Sequence, residues 1–207
     1  MPYRISRFIL EVFLRFFFKV RIFGRENIPD PPYIVVPNHT SLLDPPLVGM
    51  ACKKDSIDFM AKEELFDKRV VGAWTRSVRC IPVSRRANST GSLKEALKRV
   101  SRGRSICIFP EGTRSVDGRL QAAKRGVGFL IERAGVPVVP VYIEGSTEAL
   151  PKGGRLKPGT RIDVFVGKPV LPGSLIFETA SGKRDYESIT NAVMGHIKDI
   201  ASFSEKG

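Results

Sequence analysis

The sequence predicts an α/β fold with a mostly parallel central sheet flanked by helices, preceded by an amphipathic N-terminal helix. From residue 20 onward, short apolar runs alternate with helical patterns of about ten to fifteen residues, which is typical of parallel α/β sheets. The chain of 207 residues is long enough for one domain with a sizeable core. We see no internal repeat and no low-complexity segment.

The N-terminal helix is predicted from residues 3–20, YRISRFILEVFLRFFFKV. Five charged residues recur every three or four positions and span an arc of about 120°: Arg4, Arg7, Glu11, Arg15 and Lys19. A spanning helix needs about 20 mostly uncharged residues, so this pattern favours a helix in the membrane interface. We therefore predict a membrane-association segment at 1–22. The alternative is that its apolar face packs on the domain at 23–207.

The remaining elements follow in order. Strands are predicted at 20–23, 33–36, 57–61, 80–83, 105–109, 137–143 and 161–166. Helices are predicted at 45–53, 63–77, 90–102, 121–134 and 185–203. Pro45 suits the first position of its helix, where the missing N–H costs nothing. Two prolines in the strand at 137–143 suggest an edge position, and the Gly-, Pro- and Lys-rich loop at 144–160 is expected to be mobile.

Composition restricts the partners. The net charge of +13 favours phosphate-bearing partners such as nucleic acid, anionic lipid, or an acidic carrier protein or cofactor. Aromatic residues cluster in the N-terminal segment rather than among the basic residues, and no nucleic-acid motif appears, which argues against nucleic acid. Three cysteines with apolar neighbours indicate reduced, structural thiols and a cytoplasmic location.

Three polar clusters follow predicted strand ends: NHTSLLD at 38–44, SRR at 84–86 and PEGTRS at 110–115. In open α/β sheets, ligands bind beyond the carboxyl ends of the strands. We therefore predict one site assembled from three loops.

The first cluster places His39 five residues before Asp44. A carboxylate on one imidazole nitrogen fixes the tautomer and leaves the other nitrogen as a base. On a continuous helix the two side chains would lie about 140° apart. Pro45 favours Asp44 as the helix N-cap, which turns the carboxylate back towards His39. The alternative is a histidine that merely caps a loop.

The other clusters supply cations. In FPEGTRS, Gly112 allows close backbone approach, and Arg114 offers a two-pronged donor suited to phosphate. Glu111 would accept from a substrate hydroxyl or orient Arg114. Lys124 and Arg85 add positive charge at neighbouring loops. The alternatives are a strand-ending turn with a surface ion pair and an ordinary solvated turn.

Several common sites have no matching motif. The sequence contains no G-x-S-x-G elbow, no P-loop and no dinucleotide fingerprint. H-x-H and C-x-x-C spacings are also absent, so we expect no dedicated metal site.

Together, N-H-x-x-x-x-D at 38–44, the strand ending near Arg85, FPEGTRS at 109–115 and VPVVPV at 136–141 resemble the four blocks of the glycerolipid acyltransferases, in particular those acting on 1-acyl-sn-glycerol 3-phosphate. The resemblance runs from about residue 23 to about residue 170. Two positions depart from the family pattern: Arg79 stands where glycine is usual, and Ala123 where an aromatic residue is common.

The resemblance implies that His39 is the general base and Asp44 its orienting partner. It implies substrate contacts for a further set of residues: Asn38, Arg85, Glu111, Gly112, Thr113, Arg114 and Lys124. The reaction would move an acyl group from acyl-CoA or acyl carrier protein to the sn-2 hydroxyl of lysophosphatidate, giving phosphatidic acid. Neither a cofactor nor a metal is implied. Another lysophospholipid or glycerol 3-phosphate is the alternative acceptor. We expect peripheral attachment to the cytoplasmic face of the membrane.

Overall fold

A computed structural model describes residues 2–52, 56–67, 69–84, 90–179 and 181–204. Within these residues seven strands form one sheet: β1 (Lys19–Phe23), β2 (Ile34–Pro37), β3 (Asp58–Lys62), β4 (Ile81–Val83), β5 (Ile106–Cys107), β6 (Val138–Glu144) and β7 (Arg161–Val166). Their order across the sheet is β1-β7-β6-β2-β5-β3-β4. Only β6 and β7 are antiparallel among the paired strands of the described chain, so the predicted, mostly parallel sheet is confirmed.

Helices cover both faces of the sheet. They are α1 (Pro2–Phe17), α2 (Asp44–Ala51), α3 (Arg69–Ser77), α4 (Thr90–Val100), α5 (Gly126–Ala134), α6 (Ser146–Ala149) and α7 (Tyr186–Ser204). Leu14 of α1 and Leu47 of α2 pack with Val35 and Val164 on one face. On the other face α4, α5 and α7 bury a second cluster that includes Ile34. Neighbouring residues of β2 therefore belong to different cores, as expected of a strand buried on both faces.

Helix α1 packs on the domain along one side, which is the alternative considered for it, and is exposed along the other. Leu14 is fully buried, and the Phe13 and Phe17 rings pack against the same core. The opposite side of the helix leaves five large apolar side chains exposed: Ile5, Phe8, Ile9, Val12 and Phe16. We call these five residues the exposed face of α1. None of the helices in the described part of the chain has the length and apolar character that crossing a bilayer requires.

The end of the predicted N-terminal segment belongs to the sheet. β1 begins at Lys19 and pairs along its whole length with β7. The last four residues of the predicted segment 1–22 therefore lie in the domain itself, and α1 is joined directly to the sheet.

One prediction about the later part of the chain was wrong. β6 is a central strand between β7 and β2 and not an edge strand. Pro140 is tolerated there because the ladder with β7 begins only at Val141, so no pairing with β7 needs an N–H from Pro140. The loop after β6, which was expected to be mobile, is hydrogen-bonded at two points. The Lys157 amide donates to Ala149 (2.8 Å), and the Gly159 amide donates to Phe17 at the end of α1 (2.7 Å).

Candidate active site

The catalytic candidates of the first loop meet as predicted. His39 Nδ1 lies 2.8 Å from Asp44 Oδ2, just beyond the end of β2. The same carboxylate oxygen accepts from the amides of Thr40 (2.7 Å) and Ser41 (2.8 Å). Asp44 is fully buried. It is the first residue of α2 and does not cap that helix, contrary to the prediction, because its carboxylate turns back into the 39–41 loop.

This pairing fixes what the imidazole can do. A carboxylate accepts and cannot donate, so Nδ1 carries the proton and Nε2 keeps its lone pair. The His39 ring stacks on Phe109 at a centroid distance of 4.0 Å, and its side chain is 17% exposed. The ring is thus held by packing and by Asp44, with one basic nitrogen accessible.

Glu111 joins the 110–115 loop to the 38–44 loop. Its Oε1 accepts from the His39 amide (2.9 Å), and its Oε2 accepts from the Gln121 amide (3.2 Å). Burial raises the pKa of the Glu111 carboxyl above its usual value, partly offset by these two amides. The Ser115 amide in turn donates to the His39 carbonyl (2.8 Å). Glu111 therefore positions the His39 loop, and its contact with a substrate stays a prediction.

Asn38 is held by the neighbouring strand. Its side chain is buried, its Nδ2 donates to the Ile143 carbonyl (2.9 Å), and its Oδ1 accepts from the Ile143 amide (2.7 Å). Its predicted contact with a substrate stays a prediction. Asn38 extends the pairing of β2 and β6 by one step and fixes where the 39–44 loop begins.

Two of the predicted cations lie on or next to the loop that is hydrogen-bonded to His39. Gly112 has a φ of 65°, and a Cβ atom there would come within 2.6 Å of Lys124 Cε. Glycine thus lets the Lys124 stem lie across the loop. Thr113 and Arg114, the next residues, are half-buried. Within the described parts of the chain, neither Arg114 nor Lys124 has a hydrogen bond or ion pair from its charged group. Both cations are therefore available to an anion.

Comparison with known proteins agrees with this geometry. The family model described as "Acyltransferase" matches residues 19–144, which include both catalytic loops. The chain belongs to the acyltransferase family. The match ends at the last residue of β6, so it also covers the strand that holds Asn38.

Individual relatives of this acyltransferase are similar over different lengths. The 1-acyl-sn-glycerol-3-phosphate acyltransferase of Bacillus subtilis is 26% identical over 201 residues, covering 96% of each chain. The chloroplastic enzyme BAT2 of Brassica napus is 36% identical over 161 residues. That match covers 74% of this chain but 46% of the plant protein, so the chain spans less than half of that relative.

A solved structure is similar along nearly the whole acyltransferase chain. The crystal structure of the 1-acyl-sn-glycerophosphate (LPA) acyltransferase PlsC from Thermotoga maritima superposes with a TM-score of 0.78 at 31% identity. The superposition covers 98% of this chain and 79% of that one. The α/β architecture, including an N-terminal helix, is therefore that of the family.

The second block of the acyltransferase gives one further result. Arg79, which stands where the family usually has glycine, has a φ of 61° in the left-handed region that favours glycine. It follows α3, where its carbonyl accepts from Arg99 at 2.5 Å. Arg79 is thus a strained residue at a position whose backbone conformation favours glycine. Arg85, predicted to bind phosphate from this block, lies outside the described residues.

Sequence reasoning missed Ser146. Its side chain is fully buried, and its hydroxyl donates to Asp44 Oδ1 at 2.7 Å. The sequence did contain a signal for this residue, because Gly145-Ser146 follows β6 as the other polar clusters follow their strands. The loop after β6 therefore also contributes to the site.

Proposed function

We propose that this acyltransferase transfers a fatty acyl group from acyl-CoA or acyl carrier protein to the sn-2 hydroxyl of 1-acyl-sn-glycerol 3-phosphate. One arrangement supports the proposal. The His39 imidazole is oriented by Asp44, with its Nε2 free, and its loop is hydrogen-bonded to the 110–115 loop. Arg114 and Lys124, on and next to that second loop, are two cations without an ion pair to any described residue. The names of the Bacillus and Thermotoga relatives give the same acceptor.

The reaction needs one proton carrier. His39 Nε2 takes the proton from the sn-2 hydroxyl as its oxygen attacks the thioester carbonyl. The carbon–sulfur bond then breaks, and the proton passes from Nε2 to the leaving thiolate. Asp44 stabilises the imidazolium between the two steps.

The cysteines argue for direct transfer without an acyl-enzyme. All three are free and buried: Cys52, Cys80 and Cys107. Burial raises the pKa of Cys80 to about 11 and that of Cys107 further above its ordinary value. A thiol needs its thiolate form to act as a nucleophile, so neither of these two is suited to accept the acyl group.

The two free cations suit the phosphate of the acceptor. Arg114 offers a planar, two-pronged donor, and Lys124 adds a point charge whose side chain lies against Gly112. The phosphate is esterified to the third glycerol carbon, which is bonded directly to the sn-2 carbon. Binding the phosphate at this loop therefore keeps the sn-2 hydroxyl within reach of the neighbouring His39.

We also propose that the exposed face of α1 attaches the protein to an anionic membrane. The adjacent loop supports this, since Gly159 is bonded to the end of α1 and Leu156 packs on the same core. Three exposed cations of this loop have no ion pair with any described residue: Lys152, Arg155 and Lys157. Exposed basic groups are therefore found on a loop joined to the helix that carries the exposed apolar face, and an interfacial contact with anionic lipid uses both kinds of group. Free, buried thiols support a location on the cytoplasmic face.

A thiol-release assay tests the reaction. Purified protein is given acyl-CoA or acyl carrier protein with lysophosphatidate, lysophosphatidylcholine or glycerol 3-phosphate, and products are identified by mass spectrometry. We expect phosphatidate from lysophosphatidate, with the highest kcat/KM of the three acceptors. A higher value for glycerol 3-phosphate or lysophosphatidylcholine would assign the site to the alternative acceptor.

A further inference from the structure

The buried carboxylate of Asp44 is held from two sides. Oδ2 accepts from His39 and from two backbone amides of its own loop. Oδ1 accepts from Ser146, which lies 102 residues further along the chain at the start of α6. Ser146 is thus the side chain from outside the loop that fixes the rotation of this carboxylate.

The direction of the hydroxyl bonds follows from counting protons. The Ser146 hydroxyl has one hydrogen, and the carboxylate of Asp44 can only accept, so that hydrogen points to Oδ1. Thr40 Oγ1 lies 2.9 Å from Ser146 Oγ and must then be the donor between the two hydroxyls. Both hydroxyls are buried. The result is an ordered relay of donors that ends on the catalytic carboxylate.

We propose that Ser146 is a positioning residue for the reaction, acting through Asp44 on the tautomer and aim of His39. Without the Ser146 hydroxyl, Oδ1 would be a buried acceptor lacking its donor. The carboxylate would gain by rotating to share the loop amides between its two oxygens, which moves Oδ2 away from Nδ1. Strand β6 leads into Ser146, so this strand helps to position the residue that orients Asp44.

The tautomer provides a test that needs no turnover. The chain has two histidines, His39 and the exposed His196, so a sample labelled with ¹⁵N-histidine gives two resolvable rings. His196→Gln assigns the signals. We expect a single Nδ1-protonated form for His39 in the wild type and a mixture of both tautomers in Ser146→Ala. An unchanged tautomer in a folded Ser146→Ala protein would overturn the proposal.

Steady-state kinetics test the positioning role of Ser146 a second time, and this test rests on the proposed function. We expect Ser146→Ala to lower kcat about tenfold and to leave the KM for lysophosphatidate within about twofold, because the lost bond is to a charged group away from the phosphate. In an Asp44→Asn background the same substitution should change kcat by less than about twofold. Equal losses in both backgrounds would show that Ser146 does not act through Asp44.

A matched variant separates positioning from folding. Ser105 is also fully buried, and its hydroxyl accepts from the Tyr33 amide (3.3 Å). The two residues directly precede β5 and β2, at the ends of these strands opposite the catalytic loops. Ser105→Ala should lower the Tm about as much as Ser146→Ala while keeping kcat and the His39 tautomer. Should Ser146→Ala fail to fold, Ser146→Cys, with a weak donor of similar shape, takes its place in both tests. If the wild type had no acyltransferase activity but Ser146→Ala still changed the His39 tautomer, the proposed reaction would be refuted and the positioning role of Ser146 would stand.

Discussion

Replacing Phe8 and Phe16 by serine should weaken membrane binding without weakening the fold. The two side chains are 67% and 81% exposed, so they contribute little to the core. Each ring, partly immersed in lipid, is worth on the order of 1 kcal/mol, discounted from about 1.5–3 kcal/mol for full burial. Losing both therefore costs about 2 kcal/mol of binding. This corresponds to a roughly thirtyfold weaker partition coefficient, since 1.4 kcal/mol is a factor of ten.

The assay is flotation with anionic liposomes, together with thermal unfolding followed by circular dichroism. The matched control is Leu14→Ala on the buried side of the same helix, which should lower stability by about 2–5 kcal/mol. Deleting residues 1–20 would not separate the two roles, because it removes Leu14 and the first residues of β1. Unchanged liposome binding of the double serine variant, or a loss of Tm as large as that of Leu14→Ala, would refute the assignment of the exposed face.

Three further predictions concern the site and its supports. Arg114→Lys should raise the KM for lysophosphatidate several-fold and affect the KM of the acyl donor less, since it keeps the charge but loses the paired donors; the reverse pattern in steady-state kinetics would move Arg114 to the donor site. Arg79→Gly should raise the free energy of unfolding by about 1 kcal/mol in urea titrations by relieving the left-handed φ, although glycine gains entropy in the unfolded chain; a loss of stability would contradict this. Because burial raises the pKa of Glu111, the folded state binds a proton more readily than the unfolded state, so the contribution of Glu111 to stability should fall as pH rises above about 4.5; a wild-type advantage over Glu111→Gln that grows with pH would show the opposite shift.

Much of the sheet could be predicted from local patterns, and the boundary errors have identifiable causes. The strand at 161–166 is found as predicted. The helix predicted at 121–134 begins only at Gly126. The preceding residues are drawn to the catalytic loop instead, with the Gln121 amide on Glu111 and the Lys124 amide on Pro110. Such a competition between local propensity and distant partners leaves no trace in the local sequence.

Whether the interacting groups are near or far apart in sequence also decided which features of the site could be predicted. The His39–Asp44 pair was predictable because Pro45 forces a turn within the same short segment. The hydrogen bonds that orient Asn38 and Glu111 could not be predicted, because the partner of Asn38, Ile143, is 105 residues away and the partners of Glu111 are backbone amides. Ser146 was missed for the same reason. A buried polar side chain cannot be distinguished from a substrate-binding one until its hydrogen-bond partners are known.

The most direct test of the account compares His39→Ala with His196→Ala in phosphatidate formation from lysophosphatidate and an acyl thioester, including a parallel assay with EDTA. A general base is worth about 10²–10⁴ in rate. We predict that His39→Ala lowers kcat at least about a hundredfold, with an unchanged Tm and little change in KM. His196→Ala, which alters the exposed histidine of α7, should keep full activity, and EDTA should have no effect on either the wild type or this control. Substantial turnover by a purified, folded His39→Ala protein would contradict the mechanism.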